Sequence, residues 1–387
     1  MRRSAQRLRS SLPPRRAVLR GGAGTPRFQT VRRLARAGFT LLEMMVAIAI
    51  AAFTVAALYA LFTVQSRQLV TQDLHMEMHQ NLRFATEMIT RSARLAGYGS
   101  SGYIYGLFGP NGTGDHGSEL PAIIPWNDPN TTGPDAVTMV YADPSLLIDS
   151  QNDVIETFST TSISFRPGML DHTAKLQQYR ADELLLCTDY ADTRGMRSYL
   201  WNITSVDSTN GVIGVDDNSS YTDYANLFTR NTNLTPVMTC SKGNVVTFYV
   251  DNMSDNIGAG TEEHPVLMMD LNMSWPNDDD VPLVDNIEDL QLEYCVDDGT
   301  ASVDCTDSAN WVDGSSIDAT TEANSIWMMR VSLIARSSRE DMRDLYPGFR
   351  PALADRSASG TPGSDHYYRK VLVTEVAFRN IRSLANL

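Results

Sequence analysis

Gly38-Phe39-Thr40-Leu41-Leu42-Glu43-Met44-Met45-Val46-Ala47-Ile48-Ala49-Ile50 opens a run that stays apolar to Leu61-Phe62-Thr63-Val64. Between Arg36 and Arg67 the one charged residue is Glu43. As a helix, residues 39–64 would be about 39 Å long, at about 1.5 Å per residue. A hydrocarbon core is about 30 Å thick, so the segment is long enough to span it. A carboxylate held at mid-membrane costs about 2.5–3.5 kcal/mol. Such a segment therefore needs a counter-charge for Glu43. A secretory signal peptide has an apolar core of about 7–15 residues, far shorter than this one, although Ala49-Ile50-Ala51 mimics a small-residue cleavage site. A plain signal anchor would leave the place of Glu43, five residues past Gly38, without a reason.

Gly38-Phe39-Thr40-Leu41-Leu42-Glu43 resembles the processing site of type IV prepilins and type II secretion pseudopilins. The resemblance implies cleavage after Gly38 by prepilin peptidase and N-methylation of the new terminus at Phe39, which keeps its positive charge. It also implies a buried ion pair between Glu43 and the Phe39 ammonium of a neighbouring subunit. A paired ion in lipid costs much less than a lone one. The pair would set each new subunit one step along a growing filament.

On either side of this run the composition changes. Residues 1–38 carry eleven arginines and no Asp or Glu, together with Pro13-Pro14 and Gly21-Gly22-Ala23-Gly24. They read as a basic leader without packed structure. Basic residues beside an apolar span stay on the cytoplasmic side, so the remainder is expected outside the inner membrane. Val31 to Gly38 alone would make a short leader if Val31 were the initiation site, and the amino-terminal mass of the precursor decides that. The formal net charge of −14 becomes −25 once the eleven leader arginines are set aside. Bulk electrostatic binding of nucleic acid is therefore not expected. Arg330, Arg336, Arg339 and Arg343 are read as solvating a strand end and a loop.

From Gln65 to Ala96 the positions Leu74, Met78, Leu82, Ala85, Ile89 and Ala96 recur at helical spacing, with Arg83, Glu87, Arg91 and Arg94 between them. Gly97 is the stop signal. The chain therefore divides into a leader (1–38), a membrane or filament-core half-helix (39–64), an amphipathic half-helix (65–96) and a globular β-rich periplasmic domain (97–387). Residues 97–134 read as a Gly-, Tyr- and Pro-rich connecting loop. Beyond them lie short β-branched and aromatic runs set apart by Asn, Asp, Gly and Ser. These are Ala136–Tyr141, Val154–Phe158, Ser162–Phe165, Glu183–Cys187, Ser198–Val206, Gly211–Val215, Asn244–Val250, Pro265–Met269, Ile287–Cys295, Ile326–Ala335 and Arg369–Arg379. The expected class is α+β, a long helix packed on antiparallel sheets.

Arg83–Met88 with Arg94–Tyr98, and then Val284–Tyr294, Ser325–Leu333 and Tyr368–Asn380, resemble the corresponding stretches of PilW-like minor pilins. The last three also resemble the C-terminal part of J-type pseudopilins. The pilin resemblance implies a pilin-like fold, partners among other minor and major pilins, a pilus assembly platform, and a complex that primes or caps a type IV pilus. The competing readings are a J-type pseudopilin of a type II secretion system and a membrane-anchored periplasmic binding module.

Four cysteines, Cys187, Cys240, Cys295 and Cys305, lie in the exported part, where disulfides form. Three pairings exist. The turn-like Val-Asp-Asp-Gly after Cys295 favours Cys295–Cys305 and hence Cys187–Cys240. His75 and His79 share one helix face, but His-Met-Glu-Met-His is not the zincin order. They are read as solvated or interface histidines. The acidic runs Asn277–Asp280, Asp297-Asp298-Gly299 and Asp216-Asp217-Asn218 match no EF-hand spacing and read as solvated turns. No Gly-x-Ser-x-Gly, Walker-type or dinucleotide motif occurs. No catalytic residue, metal or cofactor is expected.

Overall fold

The computed structural model describes residues 39–100, 103–105, 120–127, 133–149, 155–158, 161–165, 172–189, 197–216, 238–254, 263–271, 280–297, 304–317, 325–341, 348–354, 356–358 and 365–381. The leader with Gly38, His116, Arg343 and most of the acidic runs lie outside the described residues.

One α-helix, α1, runs from Leu41 to Leu95 without a proline to interrupt it. The chain divides into two units, the first ending at Gln65 and the second starting at Ser66. In the first unit every described residue to Phe62 is exposed. In the second, one stripe of the helix is buried: Leu74, Met78, Leu82, Ala85, Ile89 and Ala93, with Ala96 just past the end. These are neighbours at three- and four-residue spacing, so a single face meets the core. Gly97 ends the helix in the left-handed region, at φ +78°, where an L side chain is strained. A Cβ there would also come within 2.9 Å of Ile381 Cγ1.

Sixteen strands follow among the described residues. Eight form the main path of one sheet, in the order β12-β11-β10-β7-β8-β9-β6-β5. Their ranges are β5 Ile155–Phe158, β6 Ser162–Phe165, β7 Leu184–Asp189, β8 Arg197–Asp207, β9 Val212–Val215, β10 Met238–Ser254, β11 Glu263–Asp270 and β12 Val281–Asp285. Strand β4 (Ala136–Asp149) lies along β10 and carries β3 (Ile123–Trp126) on its other side. Strand β1 (Tyr103–Tyr105) pairs in parallel with β8 and antiparallel with β2 (Leu120–Pro121). A second, four-stranded antiparallel sheet has the order β14-β13-β15-β16. Its strands are β13 Ile287–Val296, β14 Trp311–Asp313, β15 Ile326–Arg336 and β16 Arg369–Ala377.

The buried stripe of α1 shares one core with both sheets. It packs with Val137, Met139, Val246, Phe248 and Leu267 of the first, and with Leu290, Leu292, Tyr294, Met329, Val331, Leu333 and Val376 of the second. Asp135 joins the two sheets: its N–H donates to Leu290 O (2.8 Å), and its Oδ2 accepts from Leu292 N–H (2.8 Å). A buried side chain thus completes a strand edge that would otherwise leave backbone groups dry and unpaired. A second core lies between β4 and β10 in sequence, built from Phe165, Leu176, Tyr179, Leu185, Tyr199, Trp201, Ile203 and Ile213.

The helix-then-sheets order is the α+β order expected. Several elements differ from the sequence reading. The stretch 97–134 is not loop throughout, since it contributes β1, β2 and β3. Prolines 121 and 125 hide these strands, and both lie on edges where no ladder N–H is needed. β10 runs to 17 residues, not Asn244–Val250. Gly243 and Asp251-Asn252 look like turn residues, but Gly243 is held between β4 and β7, and Asp251-Asn252 are paired with β11. β12, β14 and the short helix α2 (His172–Leu176) were not anticipated.

Candidate assembly site

Thr40 is the N-cap of α1 and Glu43 closes it. Thr40 N–H and Oγ1–H both donate to Glu43 Oε2 (2.9 and 3.0 Å), and Glu43 N–H donates to Thr40 Oγ1 (3.2 Å). This is a capping box, in which two side chains satisfy donors that a helix start leaves open. Phe39 lies just before it, 82% exposed, and Glu43 is exposed as well. The carboxylate is therefore ordered by its own helix and open to solvent or to another chain. Sequence reading quoted Thr40 in the motif and gave it no role; the threonine three residues before a glutamate was the available signal.

The second unit grips α1 through polar contacts that sequence reading missed. Asn81 Nδ2 donates to Asp285 O (2.9 Å), and Ser338 Oγ donates to Glu77 Oε2 (2.9 Å). His75 packs its ring on Tyr368, 5.3 Å between centroids. His79 pairs with Lys370. Both histidines are thus contacts of the helix with its own sheet. No group of three or more His, Cys, Asp or Glu able to hold a metal occurs among the described residues. At the helix end Asn380 Nδ2 donates to the carbonyls of Arg94 (3.2 Å) and Leu95 (3.4 Å).

A charged network closes the outer face of the second sheet. Asp289, fully buried, accepts from Arg350 (2.8 Å), Arg356 (2.6 Å) and Gln291 (3.0 Å). Burial pushes its carboxyl above the usual range, and the two arginines act against that. Arg369 binds Glu288 (2.6 Å) and Asp365 (2.7 Å). Hydrogen bonding to Arg369 holds the Asp365 carboxyl below its ordinary value. Arg330 is not a solvating residue at a strand end. It sits mid-strand between Glu293 and Glu375 (3.1 Å each), 3.9 Å above the Trp311 ring. Arg336 stacks on Tyr367. Arg330 and Arg369 are each paired with two carboxylates, and Arg350 and Arg356 share Asp289.

The structure joins Cys187 to Cys240 and Cys295 to Cys305. The first pair links register partners on β7 and β10, and the second ties the end of β13 to the segment before β14.

α1 is the one described helix long and apolar enough to cross a membrane. Residues 33–59 match the prokaryotic N-terminal methylation motif. Residues 247–380, from within β10 to the cap of α1, match the Type IV Pilus-assembly protein W family, PilW. No curated protein matches the chain. Among solved structures, the Type IV-like pilin TTHA1219 from Thermus thermophilus covers 78% of this chain and 97% of its own, at 8% identity and a TM-score of 0.28. A likeness that loose carries no weight. The first signature stands at the start of the apolar helix and the second spans the sheet that packs on its later part, so over these residues the chain is similar to proteins with the N-terminal methylation motif and to the PilW family.

Proposed function

We propose that this protein is a minor pilin, cleaved by prepilin peptidase between Gly38 and Phe39 and built into the complex that primes or caps a type IV pilus. The reading divides the chain into leader (1–38), membrane or filament-core helix (39–64), amphipathic helix (65–96) and periplasmic domain (97–387). Before assembly the apolar half of α1 anchors the protein in the inner membrane. Afterwards that half lies among the helices of other minor and major pilins on the assembly platform, and the domain reaches the cell surface. The role is structural and requires no catalysis.

The observation that carries the reading is an exposed, capped Glu43 at the head of an otherwise uncharged apolar helix. In lipid or in a helical core such a carboxylate is stable only with a cationic partner. The ammonium of Phe39 on a neighbouring subunit is the cation the motif supplies. Glu43 and Phe39 are then the assembly residues, and the two disulfides brace the exported domain. The test is the amino-terminal mass of the mature protein. The expected terminus is a methylated Phe39; a mature chain starting elsewhere overturns the reading.

A further inference from the structure

Strand edges are sticky, and folds blunt them with short strands, prolines or cover. Here the described edges fall into two kinds. β2, β3, β5, β12 and β14 have two to five residues each, and β2, β3 and β12 contain Pro121, Pro125 and Pro282. β16 is longer: nine residues, Arg369-Lys370-Val371-Leu372-Val373-Thr374-Glu375-Val376-Ala377, with no proline and no described strand on its outer side.

The register shows which backbone groups are open. Ser337 N–H donates to Tyr368 O, and Phe378 N–H donates to Trp327 O. Pairing between β15 and β16 runs without a shift from Met328–Ala377 to Arg336–Arg369. Antiparallel ladders alternate, so even-numbered residues of β16 turn their N–H and C=O toward β15. Val371, Val373 and Glu375 turn theirs to the open edge. The side chains of Val371 and Val373 are 39% and 49% exposed beside those groups.

Direction limits what can bind there. β16 lies along α1 and runs the same way: Tyr368 and Lys370 meet His75 and His79, and Asn380 meets Arg94 and Leu95. Two copies joined antiparallel through β16 would point their α1 helices in opposite directions, which a shared membrane excludes. β14, on the far edge of the same sheet, runs opposite to β16. A neighbour with this sheet and a parallel α1 can therefore offer its β14-side edge antiparallel to β16, as a head-to-tail contact.

We propose that the free edge of β16 is an intersubunit docking strand, extended by the opposite sheet edge of a neighbouring pilin-like subunit. This rests on the minor-pilin reading. Val373→Pro tests it, because it deletes an outward N–H while every β15–β16 bond stays in place. The full-length variant should melt within about 2 °C of wild type, whereas Thr374→Pro, which breaks the ladder, should melt well below it. In cells Val373→Pro should fall about tenfold or more in the sheared filament fraction. Wild-type recovery of Val373→Pro in that fraction overturns the docking strand alone. Absence of the wild-type protein from filaments overturns the docking strand and the minor-pilin reading together. Should Val373→Pro fail to fold, p-benzoylphenylalanine at position 373 decides: an ultraviolet adduct on a pilin-like subunit, mapped to its sheet edge, supports the proposal, and no such adduct overturns it.

Discussion

Asn380 Nδ2 lies 3.2 Å from the carbonyl oxygen of Arg94, so the last residues of the fold cap the helix that begins it. The neighbouring Ile381 fills the space beside Gly97, where the chain leaves α1. Helix and final strand are thereby locked at the same point.

Two substitutions probe that lock. Asn380→Ala should cost about 1 kcal/mol, as a lost hydrogen bond to a helix end. Gly97→Ala should cost about 1–3 kcal/mol, because the left-handed backbone is strained for alanine, with the Ile381 contact adding to it. Urea unfolding of the full-length protein in detergent measures both, and Gly97→Ala is expected to be the worse.

Asp289 makes a sharper prediction. Removing one partner of a buried ion cluster strands the others, at about 3–5 kcal/mol. Asp289→Ala leaves Arg350 and Arg356 facing each other without their carboxylate. A large fall in unfolding midpoint is expected, with partial recovery when both arginines are also replaced by methionine. A midpoint unchanged in Asp289→Ala would show that the cluster contributes nothing.

Acid should weaken the Arg369 site. The folded Asp365 carboxyl titrates below its unfolded value because Arg369 binds its charged form. The native state therefore holds fewer protons than the unfolded one in that range. Its stabilisation is complete above the ordinary carboxylate range and disappears as pH falls through the lowered folded value. Asp365→Asn should flatten the stability profile below about pH 4 and leave its shape near neutrality alone.

The disulfides should differ in weight. The Cys187–Cys240 loop spans 53 residues and the Cys295–Cys305 loop 10. On the chain-entropy account these constrain the unfolded chain by about 4 and about 3 kcal/mol. Replacing each pair by serine and comparing unfolding midpoints checks the order.

Much of this was legible in the residues. The buried stripe of α1 shows in the spacing of Leu74, Met78, Leu82, Ala85 and Ile89, because a helix repeats within reach of its own neighbours. Most of the long strands show for the same local reason. Asp135, Asp289 and Asn380 do not. Each acts on partners that sit far off in sequence, at Leu290, Arg350 and Arg94. An Asp or Asn read alone says "turn". β12 and β14 were hidden likewise, by Pro282 and by the short Trp311–Asp313 span. At the candidate assembly site Glu43 stands out because a lone charge in an apolar run is visible to inspection, while the capping role of Thr40 depends on where the helix starts.

The most direct measurement is the fate of Glu43→Ala. The variant protein should be cleaved after Gly38, remain in the membrane at wild-type amount, and be missing from sheared filaments. Recovery of Glu43→Ala in filaments at the wild-type level would contradict the account, since the carboxylate would then have no counter-ion to meet.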